Sequence, residues 1–233
     1  MALPFFYLSA YDGGSLIDLD EPTSRHIVSV LRMQEGEQLH LTDGKGLLLT
    51  ASVAEAHKKR ASVKVEKQTF FERRTAIVSI AISLVKNNTR FEWFLEKATE
   101  TGVANIYPII CQRTEKQNFR YDRLHQILVS AMLQSQQVWL PELSAPVPFN
   151  MIVKGSDHNK KWIAHCIETN KESLRKQGPA KGKEILLIGP EGDFTEAEIA
   201  LALAHGFSPV ALGETRLRTE TAGMVGATLL LVN

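Results

Sequence analysis

Between residues 37 and 67 the chain alternates apolar and polar positions with the two-residue rhythm of β-strands. Gln38-Leu39-His40-Leu41-Thr42 runs into Asp43-Gly44-Lys45-Gly46, which reads as a hairpin turn, and Leu47 to Val53 and Ala61 to Val65 follow. Ahead of them, Asp20-Glu21-Pro22-Thr23 opens a short helix running through Ile27, Val28 and Leu31, with Gly36 just beyond. Residues 1–72 are therefore expected to form a small β-barrel with one helix. The pattern changes after Glu72-Arg73-Arg74. Ile77 to Leu84 is a new apolar strand, and Thr89 can cap a helix with Phe91, Phe94, Leu95 and Ala98 at helical spacing. Ala104 to Ile110 reads as a strand. Leu124, Ile127, Leu128, Ala131 and Met132 mark one face of a longer helix, and Trp162 to Cys166, Ile185 to Ile188 and Val210 to Leu212 are short apolar strands. This alternation predicts an α/β domain over residues 73–233, with a mostly parallel sheet covered on both faces. Ligands of such sheets bind in the loops at the carboxyl ends of the strands.

Composition removes several classes of function. Of 233 residues, 44% are hydrophobic and 23% charged, which excludes wholesale disorder and fibrous repeats. The net charge of +1 excludes a histone-like polycation but not a local basic patch. Positions 1–72 carry 8 basic and 10 acidic residues and the remainder 19 and 16, so the second domain is the more basic. The longest apolar candidate for a membrane span, Met224 to Val232, is about half the required ~18–20 residues. The apolar start, Met1 to Leu8, lacks the basic opening and cleavage site of a signal peptide. Cys111 and Cys166 form no CxxC pair and the seven histidines no HExxH, so neither a disulfide scaffold nor a metal site is expected and a cytoplasmic setting is the default. Gly178 to Lys183 is one residue short of a phosphate loop and lacks its Ser/Thr.

Two loops hold the candidate chemistry. Gly189-Pro190-Glu191-Gly192-Asp193-Phe194 follows a strand, and Thr195 with Glu198 forms a capping box for the next helix. Glycines there bring bare backbone to a ligand and adopt conformations that other residues resist; a ligand-free strand-to-helix turn accounts for the same local sequence. Glu191 and Asp193 are either paired acids or simple helix-dipole partners. The second loop, Leu212-Gly213-Glu214-Thr215-Arg216-Leu217-Arg218-Thr219, leads into a last helix that is apolar to its end. That helix carries Gly223 and Gly226, each costing ~1 kcal/mol against alanine, so close packing within the fold or between subunits must require them. Arg216 and Arg218 read singly as surface partners of Glu214 or Glu220.

At these loops the chain resembles a known family. IGPEGDFTEAEI and ALGETRLRTETA are similar to the second and third cofactor motifs of the knotted (SPOUT) methyltransferases, and within them to the bacterial 16S rRNA uracil-N3 methyltransferase family, RsmE. His26-Ile27-Val28-Ser29-Val30-Leu31-Arg32 with Gly36, and Asp43-Gly44-Lys45-Gly46, resemble that family's PUA-type RNA-binding barrel. Lys97 and Glu100-Thr101-Gly102-Val103 resemble its KATELGV helix end, and Gln134-Ser135 with Pro141-Glu142 its EQS-x-R segment. Leu133 stands where that segment has glutamate, Gln137 where it has arginine, and Met-Ala-Leu-Pro-Phe lacks an N-terminal arginine.

The resemblance implies a C-terminal domain with a deep trefoil knot, a homodimer, and methylation of N3 of a uridine (position 1498) of 16S rRNA in the small ribosomal subunit. It implies S-adenosylmethionine as cofactor, held by Gly189, Pro190, Glu191, Gly192, Leu212, Gly213, Leu217, Arg218 and Thr219. The ring nitrogen must lose a proton before it is methylated, so a cation beside the ring oxygens would assist. Arg218 is nominated for that role and Glu191 as proton acceptor, with no metal required. Arg25, His26, Arg32, Lys58, Lys59, Arg60, Arg73 and Arg74 are candidate RNA contacts; Lys58-Lys59-Arg60 reads equally as a solvated hairpin tip. The competing expectations are a knotted methyltransferase for another nucleotide and a non-catalytic ribosome-assembly protein.

Overall fold

A computed structural model describes residues 3–115, 118–168 and 170–232. Met1 and Ala2 of the apolar start, and Asn233 at the end of the second expected domain, lie outside the described residues. The chain forms two compact units, Met1–Arg73 with Met132–Leu140, and Arg74–Ala131 with Pro141–Asn233.

The first unit is a five-stranded sheet. Its elements are β1 (Phe5–Tyr7), β2 (Leu16–Asp18), α1 (Glu21–Arg25), a π-helical turn at His26–Val30, β3 (Gln38–Thr42), β4 (Leu47–Glu55) and β5 (Ser62–Phe70). The order across the sheet is β1-β3-β4-β5-β2, with β1 parallel to β3 and the other pairs antiparallel. The two-residue rhythm has its cause in one face: Leu39, Leu41, Leu49, Ala51, Val53 and Val63 all point into the core. Gly44 and Gly46 adopt φ of 70° and 99°, so the β3–β4 hairpin needs glycine at both. The expected helix through Leu31 divides in two. Asp20 caps α1 by accepting a hydrogen bond from the Thr23 N–H, and the wider turn after it leaves Ile27 inside but Leu31 41% exposed. Strands β1 and β2, each of three residues, are too short to show a rhythm. The return of residues 132–140 to this unit is also invisible to periodicity. It is made by backbone bonds between Gly46 N–H and Val138 C=O and between Leu140 N–H and Gly44 C=O, both 2.8 Å, and by the Trp139 indole donating to the Phe71 carbonyl.

The second unit contains β6 (Ile77–Ser83), α2 (Asn88–Thr101), β7 (Asn105–Ile110), most of α3 (Tyr121–Gln134), β8 (Glu142–Leu143), β9 (Val147–Pro148), α4 (Phe149–Gly155) and β10 (Lys160–Ala164). It continues with β11 (Glu172–Ser173), a 3-10 turn at Leu174–Gln177, β12 (Lys183–Ile188), α5 (Glu196–Ala204), β13 (Ser208–Ala211) and α6 (Thr219–Leu231). The strands line up as β11-β13-β10-β12-β6-β7-β8, with β9 also beside β7, and all these pairings are parallel. The parallel α/β sheet expected from the apolar runs is present. The helix α2 is capped by Asn87, whose side chain accepts from the Thr89 N–H; Thr89 itself is the first turn's donor, not its cap. Short strands β8, β9 and β11, and α4, carried no legible pattern.

The glycines of α6 have their reason inside the chain. A Cβ on Gly223 would sit 2.7 Å from Phe94 of α2 and 2.8 Å from Ile82 of β6, and one on Gly226 would sit 2.2 Å from Leu186 of β12. The backbone of α6 therefore lies directly on α2 and the sheet, and no second subunit is needed to explain it. By contrast, Gly213 has no positive φ and open space around an added Cβ. Gly223→Ala and Gly226→Ala should each overpack the core at a cost of ~1–3 kcal/mol, more than the ~1 kcal/mol helix-propensity gain, whereas Gly213→Ala should shift stability by less than ~0.5 kcal/mol. Denaturant unfolding checks this, and wild-type stability of Gly226→Ala would contradict the packing.

Candidate cofactor cleft

Three strands of the second unit end side by side: β10 at Ala164, β12 at Ile188 and β13 at Ala211. The loops leaving them surround an open cleft of about 300 Å³. Its apolar wall comes from Ala164, Ile188, Pro190, Leu217 and Ala222, with the buried Thr219 beside them, and its polar rim from Glu191, Asp193, Arg216 and Arg218. The position is the one expected for a ligand on a parallel sheet.

One hydrogen bond joins the two candidate loops. The buried Thr219 hydroxyl, in the first turn of α6, donates to the Gly189 carbonyl at 3.0 Å. The first loop turns tightly, with the Asp193 N–H bonded to the Pro190 carbonyl at 2.9 Å. Its left-handed residue is Asp193, at φ 64°, while Gly189 and Gly192 have no positive φ, so the expectation that these glycines supply unusual conformations is corrected. Gly189 is needed instead because Phe194 packs against it, 3.1 Å from where a Cβ would lie, and Phe194 in turn packs on Phe149. Asp193 is not one of a pair of acids. One carboxylate oxygen accepts from the Cys166 N–H and the other from its neighbour Phe194 N–H, both at 2.8 Å, which ties this loop to the end of β10. Behind the loop the Arg113 guanidinium donates to the Gly192 carbonyl at 2.7 Å, and Thr195 and Glu198 complete the expected capping box of α5.

The sequence-expected residues divide accordingly. Gly189, Pro190, Glu191, Leu217, Arg218 and Thr219 line the cleft together. Gly192 lies behind it against Arg113, Leu212 turns its side chain toward α6, and Gly213 stands in the open part of the second loop. Arg218 is exposed at the N-cap of α6 without a side-chain cap bond. Among the described residues no ion pair forms between Arg216 or Arg218 and Glu214 or Glu220, contrary to the surface-pairing reading. The partner of Glu220 is Arg90 of α2, which sequence reading missed together with Arg113, because each reaches the cleft's walls from a distant element. Cys111 is buried and its thiol is pushed up to about 12 by that burial, so it is no nucleophile. Burial, and then the nearby Lys171 charge, lowers the pKa of His165. No group of three His, Cys, Asp or Glu among the described residues could hold a metal ion.

The eight candidate RNA-contacting residues are all exposed. Arg25 pairs with Glu21, Arg60 with Asp18 at 2.7 Å, and Arg73 lies over the Trp139 ring at 5.4 Å. His26 meets Phe6 edge-on, Arg32 holds a positive φ of 57°, Lys58 and Lys59 occupy the β4–β5 tip, and Arg74 begins the second unit.

Comparison with known proteins gives this arrangement a family. An RNA methyltransferase domain model matches residues 72–231, and an RNA methyltransferase PUA domain model matches residues 19–66. The ribosomal RNA small subunit methyltransferase E of Synechocystis is 31% identical over 207 residues, covering 86% of this chain and 67% of its own. The chain belongs to the RsmE family of RNA methyltransferases. Two solved structures share its fold over nearly their whole length. The “probable rRNA-methyltransferase” of Porphyromonas gingivalis is 35% identical with a TM-score of 0.90, covering 97% of this chain and 96% of its own. The ribosomal RNA small subunit methyltransferase E of Neisseria gonorrhoeae, solved bound to S-adenosyl methionine, is 29% identical with a TM-score of 0.86 and the same coverage. The PUA match lies in the first unit, and the methyltransferase match spans most of the second together with Glu72, Arg73 and residues 132–140.

Within the cleft, Thr219→Val keeps the shape of the side chain but removes the donor to Gly189. Leaving that buried carbonyl unpaired should cost ~1–3 kcal/mol and loosen both loops. Thermal unfolding should fall accordingly, with faster amide exchange at residues 189–194 and 217–222; unchanged exchange in either loop would show that this bond does not couple them.

Proposed function

We propose that this chain methylates N3 of a uridine in 16S rRNA of the small ribosomal subunit, the position corresponding to 1498, with S-adenosylmethionine as the methyl donor. The observation that carries the reading is the cleft itself: the GPEG and LRTET loops, whose motifs suggested the cofactor, share one volume and one hydrogen bond. The chain is an S-adenosylmethionine-dependent rRNA methyltransferase by family, and its residues fit that cofactor. An apolar floor suits the methylene and adenine parts, exposed cations and acids suit an amino-acid zwitterion, and Gly213 offers bare backbone that neither packing nor a turn requires. S-adenosylmethionine, when bound, supplies an electrophilic sulfonium methyl.

The protein's own task is to present a uracil nitrogen stripped of its proton. Arg218 stands at the rim, outside any ion pair found among the described residues, so its charge is available to the uracil oxygens on which negative charge develops. Glu191, also on the rim, is the proton acceptor in this reading; its side chain is 37% exposed and held 3.5 Å from Arg90. Gly189, Pro190, Leu217 and Thr219 bind the cofactor from the cleft's walls, and Gly192, Leu212 and Gly213 serve through the loops that carry them. The knot belongs to the same reading. It is supported by β13 lying beyond β10 from β12, while α6 returns to pack on α2 and bonds its Leu230 carbonyl to Ala180 N–H. Residues 1–72 then form the RNA-binding domain and 73–233 the catalytic one. The exposed Arg25, His26, Arg32, Lys58, Lys59, Arg60, Arg73 and Arg74 supply phosphate contacts. The reading includes a homodimer and a cytoplasmic location, where small subunits are assembled.

Small subunits from a strain lacking this protein should accept a methyl group from S-adenosylmethionine, and nucleoside mass spectrometry of the product should give 3-methyluridine. Arg218→Ala should lower turnover ~100- to 1,000-fold with little loss of cofactor affinity. A different methylated nucleoside would overturn the assignment of the base, and full turnover of Arg218→Ala the assignment of the cation.

A further inference from the structure

Arg90 is the third residue of α2, far from both loops in sequence, yet its side chain meets a carboxylate of the first loop and one at the start of the helix that the second loop enters. Its Nη1 lies 3.5 Å from Glu191 Oε1, on the rim of the cleft, and its Nε lies 3.6 Å from Glu220 Oε1, in the first turn of α6. Glu220 is 8% exposed, and its other oxygen, Oε2, has no hydrogen-bond partner, so Arg90 is the cation that offsets this buried charge. Only a guanidinium presents two donor edges far enough apart to serve two carboxylates at once; a lysine is a single point charge. The residue's backbone is fixed as well, since it lies in the Asn87-capped first turn and α2 packs its Phe94 under α6.

We infer that Arg90 is a positioning residue for methyl transfer: it fixes the Glu191 carboxylate at the cleft's rim relative to the start of α6. This rests on the reading of the cleft as the cofactor and uracil site. Arg90 does not touch the reacting atoms; it acts through Glu191, and its effect should vanish when Glu191 can no longer respond.

The experiment is a double-mutant cycle on the full-length protein, with S-adenosylmethionine affinity by calorimetry and kcat and KM on small subunits. The cycle is run with Glu220 in place, since that carboxylate ties Arg90 to α6; because Arg90→Gln strands it, the fold of each variant is checked by thermal unfolding, and Arg90→Gln/Glu220→Gln, which removes the stranded charge, should lose kcat as Arg90→Gln does. In the cycle, Arg90→Gln should lower kcat about tenfold, Glu191→Gln should do the same, and the two together should cost no more than either alone, as coupled residues do. KM for the ribosomal subunit should stay within about twofold, and Arg90→Lys should not restore kcat. Multiplicative losses in the double variant, or full rescue by lysine, would overturn the proposal. Failure of the parent protein to bind S-adenosylmethionine would instead overturn the reading of the cleft.

Discussion

The site depends on two turns of chain, more than twenty residues apart, being held against each other by the bond from the Thr219 hydroxyl to the Gly189 carbonyl. The first is stapled by Asp193 to the end of β10 and by Arg113 from behind, and the second runs straight into α6. A buried bond between two such segments is costly to break because each group would be left without water. The cleft is therefore part of the fold rather than a shape induced by a ligand.

Packing explains why the second turn arrives where it does. The helix α6 has no side chains at Gly223 and Gly226, so its axis falls onto Phe94, Ile82 and Leu186. That close approach fixes the helix's first turn, and with it Thr219, Glu220 and the neighbouring Arg218. The apolar C-terminal helix is thus a structural beam, and the second loop is its loaded end. Arg90, on the helix beneath, adds an electrostatic tie from the same support to the first loop and to the start of α6.

Much of this was legible in the sequence, for identifiable reasons. The strands β3 to β5 and β6, β7, β10, β12 and β13 bury one or both faces, so their periods or apolar runs mark them. The loops were legible through their motifs, and Thr195 with Glu198 through the spacing of a capping box. What escaped notice depends on tertiary contact. Arg90 and Arg113 carry no local pattern that distinguishes them from surface arginines. The return of residues 132–140 rests on backbone bonds to a glycine turn and on the Trp139 indole's bond to the Phe71 carbonyl, none of which leaves a periodic mark in the sequence. The glycine logic was partly misread: Gly189 makes room for Phe194, and Asp193, not a glycine, takes the left-handed turn. The π-helical turn after α1 displaced Leu31 from the core because a single wide turn breaks the 3.6-residue count.

Amide hydrogen exchange with and without S-adenosylmethionine tests the convergence of the two loops most directly. The structure predicts that the cofactor slows exchange at residues 189–194 and 217–222 together, with the same dependence on cofactor concentration, while the strands of the first unit are unaffected. Protection confined to one loop, or separate concentration dependences for the two, would contradict a single shared cleft.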